Sequence, residues 1–287
     1  MSDTTSTPRQ IMDGPPPKAE SPKLLVEMSF LDHLEELRWR ILKGLSGVGV
    51  GVVIAFIFSD FFIAEVLLGP AKADFFIYRW FGVDAVDLVL QNRTLPGQFF
   101  SYMGTLFVVG LIMGSPIFFF QLWSFIEPAL EQGEKKSSTL VVTAITGMFI
   151  VGLLFGYLIL TPFALQFFAQ FQIAETVRND FDINSYFSNL TLWTLTCGII
   201  FQLPFVAYSL TKIGLITPDF MIKYRRVAIV VCFVAAAILT PPDPISQFMV
   251  AVPLVILYQV GIVISSITYK KRQKEIWGKE GNPDKKK

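Results

Sequence analysis

Residues 28–62 read MSFLDHLEELRWRILKGLSGVGVGVVIAFIFSDFF. The first thirteen crowd Asp32, Glu35, Glu36, His33, Arg38 and Arg40 together, and the run that follows is apolar and rich in glycine. Ser29 followed by Asp32 fits a helix start, and Phe30, Leu34, Leu37 and Ile41 fall on one face at helical spacing. The pattern predicts a helix whose charged first turns stop at a membrane surface. Asp32, Glu36 and Arg40 share a second face, which allows two readings of Glu36. It pairs with Arg40 at i,i+4, worth a few tenths of a kcal/mol at an exposed site, or it presents its carboxylate to a cationic partner.

Composition extends this reading to the whole chain. Of 287 residues, 53% are hydrophobic and 14% aromatic, and the mean hydropathy is +0.54, well above an ordinary soluble domain. The sequence therefore reads as an all-α membrane protein. A crossing helix needs about 20 apolar residues, and six candidates occur, at about 41–62, 99–121, 138–160, 188–210, 227–240 and 245–267. The fifth is short, so it thins the bilayer, leans on neighbours, or begins earlier with Arg225 and Arg226 snorkelling. With six spans, 20 Lys and Arg fall on one side and 4 on the other, or 12 against 4 without the C-terminal tail. Such an excess marks the cytoplasmic side and puts both termini there. Three regions follow: a Ser/Thr/Pro-rich disordered tail over 1–27, which lacks the apolar core of a cleaved signal peptide, a six-helix domain over 28–269, and a basic cytoplasmic tail over 270–287.

What the spans lack narrows the function. Spans two to six contain no Asp, Glu, Lys, Arg or His, whereas an ion-coupled carrier normally places ionisable groups near the midplane. A small-solute secondary transporter or channel is the alternative, motivated by Pro- and Gly-interrupted spans, but no two halves repeat. A net charge of +1 gives no field that favours nucleic acid. His33 is the sole histidine, no zinc, P-loop or G-x-S-x-G string occurs, and Cys197 and Cys232 sit in apolar runs as packing residues. No enzyme, metal or cofactor is implied. Gln202 is the most notable polar residue inside a span, followed by Pro204, whose missing N–H frees a carbonyl one turn earlier. Its amide bonds either that carbonyl or a neighbouring helix, or a partner. In the loop QLWSFIEPALEQGEKK, residues 121–136, Pro128 suits the first turn of a short helix and Gly133 allows a turn that exposes Glu134. Two carboxylates on one basic face can take a pair of guanidinium groups bidentately, telling arginine from lysine by fork geometry.

Taken together these stretches resemble TatC, the multispanning receptor subunit of the twin-arginine protein translocase. The resemblance covers about residues 28–270 and rests on HLEELRWRI, GPAK, SPIFFFQLWSFIEPALEQGEKK, FDINSYFSNL, FQLPFV and LTPPDPISQFMVAVPL, in that order. It implies six transmembrane helices in a curved, concave shell with both ends cytoplasmic, in the bacterial inner membrane. It also implies a receptor that binds twin-arginine signal peptides of folded cargo. TatA-like and TatB-like single-span subunits would join it in an oligomeric complex within membrane lipid, driven by the proton-motive force. The signal-binding carboxylates would be Glu36 and Glu134, with Arg38 and Arg40 shaping the surface and Phe125 and Pro128 holding the loop. Pro70, Asp182 and Asp243 match outward positions of the family, although Asp243 before Pro244 also reads as a helix N-cap. Gln202 stands where the family commonly has a glutamate, so it can hydrogen-bond but cannot titrate. The long outward segment KADFFIYRWFGVDAVDLVL, residues 72–90, reads only as an amphipathic stretch at the interface.

Overall fold

The computed structural model describes residues 30–126, 138–174, 176, 179–240 and 244–280. Five helical stretches among them are long and apolar enough to cross a bilayer: Glu35–Ile57, Gly97–Phe125, Thr139–Gln170, Ile183–Ile213 and Gln247–Lys274. A bilayer offers the backbone no water, so every N–H and C=O must be paired within the helix or to a neighbour. The short fifth expected span is a 15-residue helix, Arg225–Leu239, about 22 Å long against a hydrocarbon core of about 30 Å. The first, α1, is α-helical from Phe30 to Ile57. It then loosens into a π-helical turn over Phe61–Leu67 instead of running on, which leaves Asp60 exposed beyond the span.

Glycines set the closest helix contacts. α1 crosses α3 (Gly97–Ile126), and a Cβ added at Gly51 would lie 2.2 Å from the Gly110 carbonyl oxygen. One added at Gly114 would lie 2.5 Å from Val48 Cα. Backbone touches backbone here, as small residues at four-residue spacing permit in membranes. A second pair forms between α4 (Ser138–Phe155) and α6 (Ile183–Ile200), where a Cβ at Gly152 would meet the Cys197 carbonyl oxygen at 2.7 Å. In the C-terminal half α7 (Leu203–Ile213) packs on α10 (Pro244–Glu280). There the buried Thr211 and Ser265 hydroxyls share a hydrogen bond of 2.7 Å, and Thr211 also donates to the Ala207 carbonyl.

The long segment over 72–90 is a strapped cap rather than a free amphipathic stretch. After the π-helical turn the chain makes a short 3₁₀ turn over Gly69–Ala71 and the helix α2, Phe76–Phe81, which ends at Gly82 with φ 65°. These tight turns release carbonyls, and three tyrosines take them up, one from α2 itself and two from distant elements. Tyr78 donates to Pro70 O at 2.7 Å, Tyr186 to Leu67 O at 2.7 Å, and Tyr157 to Val66 O. Burial pushes the Tyr78 phenol up to about 12, although its hydrogen bond with Gln166 pulls the other way, so it remains a neutral donor. Gln166, on α5 (Thr161–Gln170), binds the Val86 backbone through both amide atoms at 3.0 Å, and Gln170 donates to Asp84 O at 2.8 Å. The strand β1 (Leu90–Gln91) then pairs in parallel with β2 (Phe181–Asp182). Ile77 and Tyr78 are buried while Phe76, Trp80 and Phe81 remain exposed, so α2 keeps an apolar face toward the interface.

Candidate functional site

Glu36 and Arg40 lie one turn apart near the start of α1. Arg40 donates from Nε to Glu36 Oε1 at 2.8 Å and from Nη2 to the same oxygen at 2.5 Å. Both side chains are partly open to solvent, at 23% and 25%. The i,i+4 reading therefore holds, but both contacts fall on one oxygen, and Oε2 takes no bond among the described residues. Arg38 is exposed beside them. A carboxylate so arranged keeps lone pairs for a second guanidinium, and its present partner has only weak exposed-site coupling to lose.

The glycine crossing decides what faces this pair. Cβ atoms built at Gly44 and Gly47 would meet Phe118 and Ile117, so α1 and α3 run antiparallel in a fixed register. Continued toward the helix end, that register brings Leu37–Arg40 level with Trp123–Ile126, and hence with Phe125. Pro128 and Glu134 lie outside the described residues, so their expected approach to Glu36 belongs to the proposal below. Next to Phe125 the structure adds a group that sequence reading missed. Trp123 is buried at 2% exposure, with its ring 6.0 Å from that of Phe205 and 6.2 Å from that of Tyr208. Lys212 donates to the Tyr208 hydroxyl at 3.1 Å. The signal was the i, i+3, i+7 spacing of Phe205, Tyr208 and Lys212, one face of a helix. The Trp123 indole N–H finds no acceptor among the described residues.

Gln202 sits at a break. α6 ends at Ile200 and α7 starts at Leu203, so the expected continuous fourth span is two helices joined by a tight turn. The buried Pro204 lies in the first turn of α7, where a missing N–H costs nothing. The Gln202 amide donates to Ile145 O on α4 at 3.2 Å, which is the neighbouring-helix reading. Its Oε1 is buried without a donor among the described residues, and the hydroxyl of Thr146, next to Ile145, is likewise unpartnered among them. At the other end of α6, Asp182 caps the helix by accepting from the N–H groups of Asn184 at 3.1 Å and Ser185 at 3.2 Å. Desolvation pushes its carboxyl up, but hydrogen bonds from Ser185, Arg93 and Asn184 outweigh this and hold it below the usual carboxylate range. Pro70 is buried in the strapped turn. Asp243 lies outside the described residues, and α10 begins at Pro244.

The comparisons with known proteins agree with this layout. The family model of TatC, Sec-independent protein translocase protein, matches residues 32–253. The TatC protein of a Blattabacterium from Periplaneta americana is 37% identical over 260 residues, covering 86% of this chain and 98% of that protein. TatCy of Bacillus subtilis strain 168 is 35% identical over 248 residues, covering 86% and 92%. A crystal structure of the twin-arginine translocase receptor TatC in DDM superposes with a TM-score of 0.68 at 30% identity, over 82% of this chain and 99% of that one. The family is a membrane component of a protein translocase and not a family of enzymes. With multiple apolar helices and these relatives, the chain belongs to the TatC family of Sec-independent protein translocase proteins.

Proposed function

We propose that this chain is the receptor core of a twin-arginine translocase in the bacterial cytoplasmic membrane, with six spans in a concave shell and both termini cytoplasmic. Helix α9, Arg225–Leu239, is the short fifth span of the six. Glu36 and Glu134 receive the paired arginines of a signal peptide, while Arg38, Arg40, Phe125 and Pro128 shape the surface around them. Single-span partners of the TatA and TatB kind then assemble on the shell, with Gln202 as the polar residue that meets one of them, and folded cargo leaves at the expense of the proton-motive force. The observation that carries the reading is the one-sided pairing of Glu36, whose Oε1 takes both Arg40 contacts. Such a carboxylate can add a second fork without first losing a strong partner. Family membership supports the same assignment.

The test is site-specific crosslinking of a twin-arginine signal peptide to the full chain. Glu36→Ala and Glu134→Gln should each weaken the crosslink by on the order of tenfold, since a hydrogen bond to a charged group contributes about 1.5–3 kcal/mol. Glu131→Gln should change it little. Equal crosslinking in all three variants contradicts the assignment.

A further inference from the structure

The charged ends and loops assigned to the cytoplasmic side are not uniform. Residues 1–43 and 127–137 hold 8 Lys or Arg against 10 Asp or Glu, whereas residues 211–226 and 268–287 hold 12 against 4. The C-terminal half is thus strongly basic, and the half proposed to receive arginines is slightly acidic. Within the basic half, the junction of α8 (Pro218–Lys223) and α9 stands out. Lys223, Arg225 and Arg226 are exposed there, and Asp219 is the only carboxylate in the sequence from 183 to 242. Arg225 and Arg226 open α9, at the end where the helix dipole disfavours cations. Helix stability alone gives no reason for them.

Depth makes the arrangement more specific. Met221 is packed with Ala207, Ile262 and Tyr258, and Tyr258 donates to Met221 O at 2.8 Å. Arg272, by contrast, lies against Gly214, where an added Cβ would meet its guanidinium at 2.1 Å. α8 therefore folds back beside the middle of α10, about two to three turns short of Lys270–Lys274 and so about 15 Å deeper. In the proposed membrane arrangement that depth brings the cations at the α8–α9 junction to the edge of the hydrocarbon, and exposed Phe220, Ile222 and Tyr224 flank them. Lipid tails can cover those apolar groups. Lys223 lies over the Tyr224 ring at 5.8 Å from its centroid, and an anion complements the three charges together.

We infer that Lys223, Arg225 and Arg226 form a binding site for the phosphate of anionic phospholipid headgroups, which are drawn inward to the start of the short helix α9. The site is separate from Glu36, and the inference rests on the membrane reading but not on the signal-peptide assignment. The full-length protein, purified in mild detergent and offered equal phosphatidylglycerol and phosphatidylcholine, should retain the anionic lipid, as read by native mass spectrometry. Each basic group near an anionic surface contributes about 1 kcal/mol, so Lys223→Gln with Arg225→Gln and Arg226→Gln should lower the preference by roughly a hundredfold. Lys72→Gln with Arg79→Gln, on the outward cap, should leave it unchanged. Where the triple variant fails to fold, Arg226→Lys should keep the preference that Arg226→Gln reduces. An unchanged preference in the Gln variants overturns the site. So does an equal loss in the outward control, and so does displacement of the lipid by a soluble glutamate-rich peptide, which would assign the surface to an acidic protein partner.

Discussion

Gln202 shows how much one side chain settles and leaves for measurement. Its amide is tied to Ile145 O, and its Oε1 has no donor among the described residues. A hydrogen bond inside a membrane is worth roughly 0.5–2 kcal/mol, so Gln202→Leu should reduce copurification of single-span partners by several-fold while the protein elutes as before. Unchanged copurification would make the residue a packing group. Asp182 can be tested by acid. Its carboxyl lies below the usual range, so it stabilises the fold above the unfolded carboxylate value, and that contribution is lost as pH falls through the depressed folded value. Asp182→Ala should remove this acid-sensitive part of the melting curve, while Asp182→Asn keeps a capping oxygen. The sequence already showed Glu36, Arg40 and the polarity of Gln202, because helical spacing is local. It could not show that both Arg40 contacts fall on one carboxylate oxygen, which depends on rotamers.

Among the helices, the α1–α3 crossing carries the strongest steric constraint. Gly51→Ala would drive a methyl group into the Gly110 carbonyl oxygen at 2.2 Å, against backbone that cannot move aside, and overpacking of this kind costs about 1–3 kcal/mol. Gly49→Ala meets nothing within 4 Å and should be neutral or slightly stabilising. A comparison of melting temperatures in detergent checks both, and equal losses would show that the crossing is not tight. The motif was visible in GLIMG, residues 110–114, and in the glycines of α1, but a glycine-rich run does not say which glycines face a partner. The strapped cap was less legible still. Its turn carbonyls are taken by Tyr78, Tyr157 and Tyr186, the last 119 residues from its acceptor, so no local pattern announced the contact. Tyr186→Phe should cost about 1–3 kcal/mol by leaving a buried carbonyl unpaired.

Seen as one body, the molecule is defined by where its charges lie relative to its spans, and that much was plain from the sequence. Apolar helices, and the lack of Asp, Glu, Lys, Arg and His in expected spans two to six, follow from composition along the chain, and the one-sided positive charge belongs to the proposed six-span topology. The short fifth expected span was recognised for its length, yet the fold-back of α8 that places Arg225 and Arg226 deep required the packing of Met221 on Tyr258. Orientation can be checked by an impermeant thiol reagent outside intact cells, on Ser137→Cys and Asn184→Cys. The second should label and the first should not. The central claim is that Glu36 reads arginine by geometry rather than by charge alone. The measurement is the affinity of the full chain for a twin-arginine signal peptide and for its Lys–Lys counterpart, in wild type and in Glu36→Gln. Strong preference for arginine in wild type, falling by on the order of tenfold in the variant, is the expected result, and an equal preference in both proteins would contradict it.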